Sequence, residues 1–231
     1  MITIIGVGHV FDIGGQVRQV IVSRRPSVVG VELDKDRFWA LSHREGREGS
    51  GVLYKLLAHF QRRMAHEYGV EVGDEMLAAT NAAGEVGADV AFLDMDSTTV
   101  LNSLWARMAF EEKVKLLVST FASLFMGKKQ VERELKRFNE DSKSYIDEFA
   151  EQFPSVKKTL IDDRDKYIAD GVRQLVSKYH TVVAVVGDGH VDGIRQHLFD
   201  LGPEVIRLKE LRSGMSPSSI SVSYDLTQRR N

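Results

Sequence analysis

Four short runs of β-forming residues, apolar almost without interruption, constrain the fold of this chain most: Ile2-Thr3-Ile4-Ile5, Val28-Val29-Gly30-Val31, Val90-Ala91-Phe92-Leu93, and Thr181 through Val186. A strand with one face in water alternates apolar and polar side chains, whereas a strand covered on both faces does not. Each run therefore reads as a parallel strand held between two layers, and Val205 to Leu208 is a fifth candidate. Helical periodicity fills the gaps. Gln16 to Arg24 carries Val17, Val20 and Ile21 on one face and stops before Pro26; Val52 to Tyr68 follows, then Asp74 to Val86, closed by Gly87. Alternating strand and helix imply an α/β fold with a mostly parallel or mixed sheet of about five strands flanked by helices.

Between Ser97 and Tyr179 no strand pattern occurs, so residues 97–179 are expected to form a helical insertion within one domain spanning 1–231. Lys128 to Glu151 is strongly charged and reads as a solvated helix, with a lid or dimer arm as the alternative; Leu116, Leu117, Phe121, Leu124 and Phe125 suit either core packing or a subunit contact, which leaves a homodimer open. In the C-terminal segment, residues 213–231, a turn-rich link leads to the period-two pattern of Ile220 to Leu226, the pattern of an antiparallel edge strand.

Composition removes several classes of function. The chain has no cysteine, which excludes disulfides, thiolate zinc sites and a cysteine nucleophile, so any metal must be held by His and carboxylate. A formal net charge of −2, with Lys and Glu interspersed, supplies no basic face for nucleic acid. The apolar stretch from Leu116 to Met126 is interrupted by Ser119, Thr120 and Ser123 and falls short of the ~20 residues a membrane span needs. Met1 leads straight into the first strand, leaving no room for a signal segment, and a cytoplasmic protein is expected.

The chemistry-bearing residues sit where the strands end. Gly6-Val7-Gly8-His9 and Gly187-Asp188-Gly189-His190 each follow a strand run. Glycine there permits a tight turn and close backbone approach to a ligand, so Gly8 and Gly189 are candidate substrate contacts and His9 and His190 candidate catalytic groups. Ligands of open parallel sheets bind at this carboxyl edge. The echo continues weakly into Asp12 and Asp192, each placed to cap the next helix. His43, His59, His66, His180 and His197 have no such setting and read as surface or packing residues.

Acids leave two further strands. Glu32 follows Val31 and must be paired, hydrogen-bonded or metal-bound, because an uncompensated buried carboxylate is too costly. Asp34 suits a helix cap, and Arg37, one turn later, reads as a helix-surface residue. Asp94-Met95-Asp96 repeats the arrangement: Asp96 or Ser97 can cap a helix, and Asp94 remains a substrate-binding candidate. In a helix expected from Ser155 to Tyr179, Arg164 lies on the apolar stripe of Val156, Leu160, Ile161, Ile168, Val172 and Leu175, where a guanidinium needs an anion. The neighbouring Asp162, Asp163 and Asp165 are assigned to other faces, as solvent charge. Two imidazoles, one or two carboxylates and an arginine suit metal-assisted hydrolysis, with His9, Glu32 and His190 holding Mn²⁺, Co²⁺ or Zn²⁺. They suit equally a metal-free reaction in which one imidazole takes a proton from water and the other gives one to the leaving group.

Four ordered stretches together resemble the TraB/PrgY family: Ile4 to Val10, Pro26 to Arg37, Leu160 to Ala169, and Val182 to Ile194. The resemblance covers nearly the whole chain. It implies kinship with the Tiki metal-dependent proteases and, more distantly, with erythromycin esterases and ChaN-like proteins. Those relatives share paired Gly-x-x-His motifs with an acid and an arginine, matched here by His9, His190, Glu32 and Arg164. Members are linked to shutdown of peptide pheromone signals, so the resemblance implies a peptide or other small substrate. The chain departs from the family pattern at Met95, Asn102 and Ser103, where basic residues are common, and has Asp163 where a glutamate is common. The leading expectation is a metal-dependent hydrolase of the peptidase type, its catalytic residues His9, Glu32, Arg164 and His190. The alternatives are a non-catalytic peptide-binding or signalling module on the same fold and an interaction scaffold built on the helical insertion.

Overall fold

The computed structural model describes residues 1–8, 12–43, 73–123, 133, 148 and 151–213. Five parallel strands form one sheet in the order β3-β2-β4-β1-β5: β1 (Ile2–Val7), β2 (Val28–Val31), β3 (Asp89–Phe92), β4 (Val182–Gly187) and β5 (Glu204–Ile206). The helices around it are α1 (Gly14–Arg24), α2 (Lys35–Ser42), α3 (Asp74–Val86), α4 (Ser97–Arg107) and α5 (Phe110–Ser123), then α6 (Pro154–Lys157), α7 (Asp163–Val176), α8 (Val191–His197) and α9 (Leu208–Arg212). The sheet is all-parallel, as the uninterrupted apolar runs imply.

Side-chain alternation divides the strands between two layers. Ile5, Val7, Val29, Val31, Leu33, Val183 and Val185 pack with α1, α3 and α9, whereas Ile2, Ile4, Val28, Val182, Ala184 and Val186 pack with Ile168, Ala169 and Val172 of α7 and Val191 and Ile194 of α8. Glu32 follows Val31 by one residue and so projects toward the second layer, where α7 lies. A smaller cluster of Leu104, Met108, Phe153 and Val156 joins α4 to α6. Among the described residues no strand lies between β3 and β4.

Helix boundaries follow local chemistry. Asp34 caps α2 by accepting from the Arg37 N–H at 2.8 Å, and Asp96 caps α4 by accepting from the Thr99 N–H at 2.8 Å. Gly87, at φ 72°, closes α3 in the left-handed region. Arg25 closes α1 at φ 45°, a conformation that a non-glycine residue adopts at some cost before Pro26 stops the helix.

Several expectations need correction. Asp12 and Asp192 cap nothing: α1 and α8 start without a side-chain cap, and Asp192 instead pairs with Arg207 at 2.9 Å. β3 is not covered on both faces: among the described residues it is the sheet's edge, and Val90 is 38% exposed. β5 ends at Ile206, because Leu208 already opens α9. The helix expected from Ser155 to Tyr179 runs from Pro154 to Val176 and is interrupted at Lys158–Asp162 by a π turn, whose extra residue shifts the phase of everything after it. The helix at Val52 to Tyr68, the charged segment 128–151 except Arg133, Glu148 and Glu151, and the edge strand at Ile220 to Leu226 lie outside the described residues.

Candidate active site

All five strands run the same way, so β1, β2, β3 and β4 deliver their following residues to one edge. The chain leaves β2 toward β3 on one side and leaves the neighbouring β4 toward β5 on the other, so the crevice between β2 and β4 is a point where strand order reverses, the usual binding position in an open α/β sheet. Pairing of Val7 with Gly187 sets the two Gly-x-Gly turns side by side next to it. Gly8 follows β1 directly, and His9 lies outside the described residues.

The other three predicted catalytic residues come together. The Glu32 carboxylate accepts from the Gly187 N–H at 2.6 Å through Oε2 and from Arg164 Nη2 at 2.5 Å through Oε1. Arg164 also grips Asp94 with two bonds, Nε to Oδ1 at 2.9 Å and Nη2 to Oδ2 at 2.7 Å. His190 Nε2 lies 3.3 Å from Arg164 Nη1 and 3.4 Å from Glu32 Oε1. Nη1 further donates to the Leu160 carbonyl at 3.3 Å, so each of the five guanidinium N–H groups has a partner. Glu32 and Asp94 are 6% and 8% exposed, and the Arg164 side chain 16%. Gly189 sits in the 3₁₀ turn Asp188–His190 that carries the imidazole off β4.

Two side chains assigned to the surface belong to this cluster. Asp165 is 4% exposed and holds His190 Nδ1 at 2.6 Å. Arg37 reaches Asp94 Oδ2 at 3.5 Å. A stripe phased from Val156 and Leu160, upstream of the π turn, puts Asp165 on the wrong face. Counted from downstream, Asp165 falls three, four and seven residues before Ile168, Ala169 and Val172, all buried. His43, His180 and His197 are exposed, as expected, with His43 stacked on Trp39.

Burial sets the electrostatics of the cluster. It opposes the charge of Arg164, but Glu32 and Asp94 outweigh it and hold the guanidinium above its ordinary value. It raises Asp165, and the bond to His190 only partly offsets the rise. It also resists a second proton on His190, yet the charge of Glu32 and the bond to Asp165 prevail and lift the imidazole above its ordinary value.

The order and content of these strand ends coincide with a known family. A model of the TraB/PrgY/gumN family matches residues 2–201. The chain belongs to that family. As a TraB/PrgY/gumN member it is also 30% identical over 210 residues to MJ1365, an uncharacterized protein of Methanocaldococcus jannaschii. That match covers 85% of this chain and 53% of the relative, so the chain spans about half the relative's length.

The donors bear on whether this site suits a divalent ion. Both Glu32 oxygens accept hydrogen bonds, and positive charge is already supplied by Arg164 beside the one His190 nitrogen that Asp165 leaves open. An ion held by Glu32 and His190 would have to displace the guanidinium, so this pair as arranged does not fit the metal expected from sequence. A separate acidic trio, Asp34, Asp36 and Asp96, offers carboxylate oxygens within 4.8 Å of one another, but two of the three cap helices. Among the described residues no helix is long and apolar enough to cross a membrane.

Proposed function

We propose that this TraB/PrgY/gumN protein is a hydrolase that cleaves peptide bonds with His190 as general base. The observation that carries the reading is the convergence of Glu32, Asp94, Arg164 and His190 from four separate segments on the sheet edge where strand order reverses. In this reading His190 Nε2 takes a proton from water, and the hydroxide so formed attacks the carbonyl carbon. Glu32, 3.4 Å from Nε2, steadies the imidazolium. Arg164 has no unused N–H for an oxyanion, so its task is to orient Glu32 and Asp94. His9, the partner of His190 in the repeated motif, is the candidate donor to the departing amine. Peptides enter as the substrate class through the family resemblance.

The test is mass spectrometry of a peptide library incubated with purified protein, with and without chelator and with added Mn²⁺. Cleavage that survives chelation and disappears in His190→Ala supports the reading. Cleavage lost on chelation and restored by Mn²⁺ would instead return the metal-dependent reaction expected from sequence.

A second reading, a peptide-binding module without turnover, draws on a specific observation. The Arg164 donors are all used internally, and Met95, Asn102 and Ser103 replace basic residues common in the family, so fewer cations face a substrate. It predicts saturable peptide retention without product in the same experiment.

A further inference from the structure

We propose that Asp165 is the positioning residue of His190, holding the neutral imidazole as its Nδ1–H tautomer with Nε2 unprotonated, and that residue 193 is glycine to make room for that carboxylate. The claim about the working nitrogen rests on the hydrolase reading; the tautomer and the space requirement do not.

Donor and acceptor identities decide the tautomer. A guanidinium only donates, so the 3.3 Å contact between Arg164 Nη1 and His190 Nε2 requires Nε2 to accept. The single ring proton then sits on Nδ1, and its acceptor is Asp165 Oδ1 at 2.6 Å. The opposite tautomer would set the Nδ1 lone pair against a carboxylate and turn Nε2–H toward a cation. The one contact in its favour, Glu32 Oε1 at 3.4 Å, is long for a hydrogen bond. Successive helical residues project about 100° apart. Arg164 and Asp165 thereby meet the imidazole on its two nitrogens, from adjacent positions just after the π turn.

Space supplies the second, independent line. A Cβ built on Gly193 would lie 1.9 Å from Asp165 Oδ2 and 2.7 Å from its Cγ, distances no side chain can hold. Gly193 lies in α8 and is absent from the left-handed glycines Gly73, Gly87 and Gly202, so backbone freedom does not explain it. Glycine inside a helix is less favourable than alanine by roughly 1 kcal/mol. What the glycine provides is clearance for the Asp165 carboxylate between α7 and α8.

Two-bond ¹⁵N correlation spectra of the histidine side chains read the tautomer directly, with His190 assigned by the loss of its signals in His190→Gln. The wild type is expected to show an Nδ1–H, Nε2-unprotonated imidazole. Asp165→Leu and Gly193→Ala should each move it toward the Nε2–H form, while Asp165→Asn, which keeps an acceptor oxygen, should retain Nδ1–H. Measured beside this, kcat for a library peptide should fall about 100-fold or more in Asp165→Leu, recover in part in Asp165→Asn, and leave KM unchanged. An Nε2–H imidazole in the wild type, or Nδ1–H persisting in both Asp165→Leu and Gly193→Ala, overturns the proposal. If no peptide is cleaved by any of these proteins, the hydrolase reading falls and the tautomer result stands or falls by the spectra alone.

Discussion

Two charged networks leave the turn Asp188–His190 in opposite directions, and they are built alike. Asp188 accepts from the Leu208 N–H at 2.9 Å and from Arg207 Nη2 at 2.8 Å, and Arg207 continues to Asp192. His190, two residues on, meets Asp165, Glu32 and Arg164 in the direction of β2, away from β5. Each network depends on a glycine for clearance: a Cβ on Gly6 would fall 2.3 Å from Asp188 Oδ1, as one on Gly193 would strike Asp165. Arginine, carboxylate and burial are therefore common to both. The difference is the imidazole, the one group in either network that exchanges a proton near neutrality. Buried pairing at a sheet edge is how this fold holds charge; a proton carrier inside such pairing is what marks a site.

Stability measurements can break that comparison. Removing Arg164 as Arg164→Met takes the shared guanidinium from two buried carboxylates, Glu32 and Asp94, and a loss of ~3–5 kcal/mol by denaturant titration is expected. Arg207→Met, where Asp188 keeps the Leu208 N–H, should lose only about 1–2 kcal/mol. Equal losses would mean that the Leu208 N–H does not steady Asp188 as described. Asp188→Ala should cost ~1–3 kcal/mol while leaving peptide turnover per folded molecule unchanged, since nothing in its network handles a proton.

The pH dependence sharpens the contrast. His190 is shifted upward, so as a base it is idle until pH exceeds its raised pKa, and the acid limb of kcat/KM should have its midpoint above the ordinary value of about 6.5. The same shift contributes stability that is fully present below that ordinary value and is lost as pH rises through the folded one. His190→Gln should remove this falling slope from the stability–pH curve, and Arg207→Met should leave it in place. Smallest of all is the effect at the exposed pair Arg18–Glu85, 2.6 Å apart but open to solvent: Arg18→Ala should leave Tm unchanged.

The strands were readable because burial on both sides writes itself as continuous hydrophobicity, and the C-terminal end of α3 because Gly87 is a left-handed stop. Glu32, Asp94 and His190 were readable for a related reason: a polar group directly after a buried strand has few places to go. Arg164 stood out as a cation on an apolar stripe. Asp165 was hidden by the π turn, which no periodicity in the sequence announces, and by the neighbouring charges Asp162, Asp163 and Arg164, which disguise a buried acid as solvent charge. The edge position of β3 was hidden too, because Val90 and Phe92 are apolar whether a further strand follows or not.

A double-mutant cycle between Glu32 and His190, read as kcat/KM for a cleaved library peptide, addresses the main claim most directly. If the two side chains work as one proton-transfer unit, Glu32→Gln combined with His190→Gln will be no slower than His190→Gln alone. Losses that simply multiply, or cleavage undiminished in His190→Gln, would contradict a catalytic site at this sheet edge.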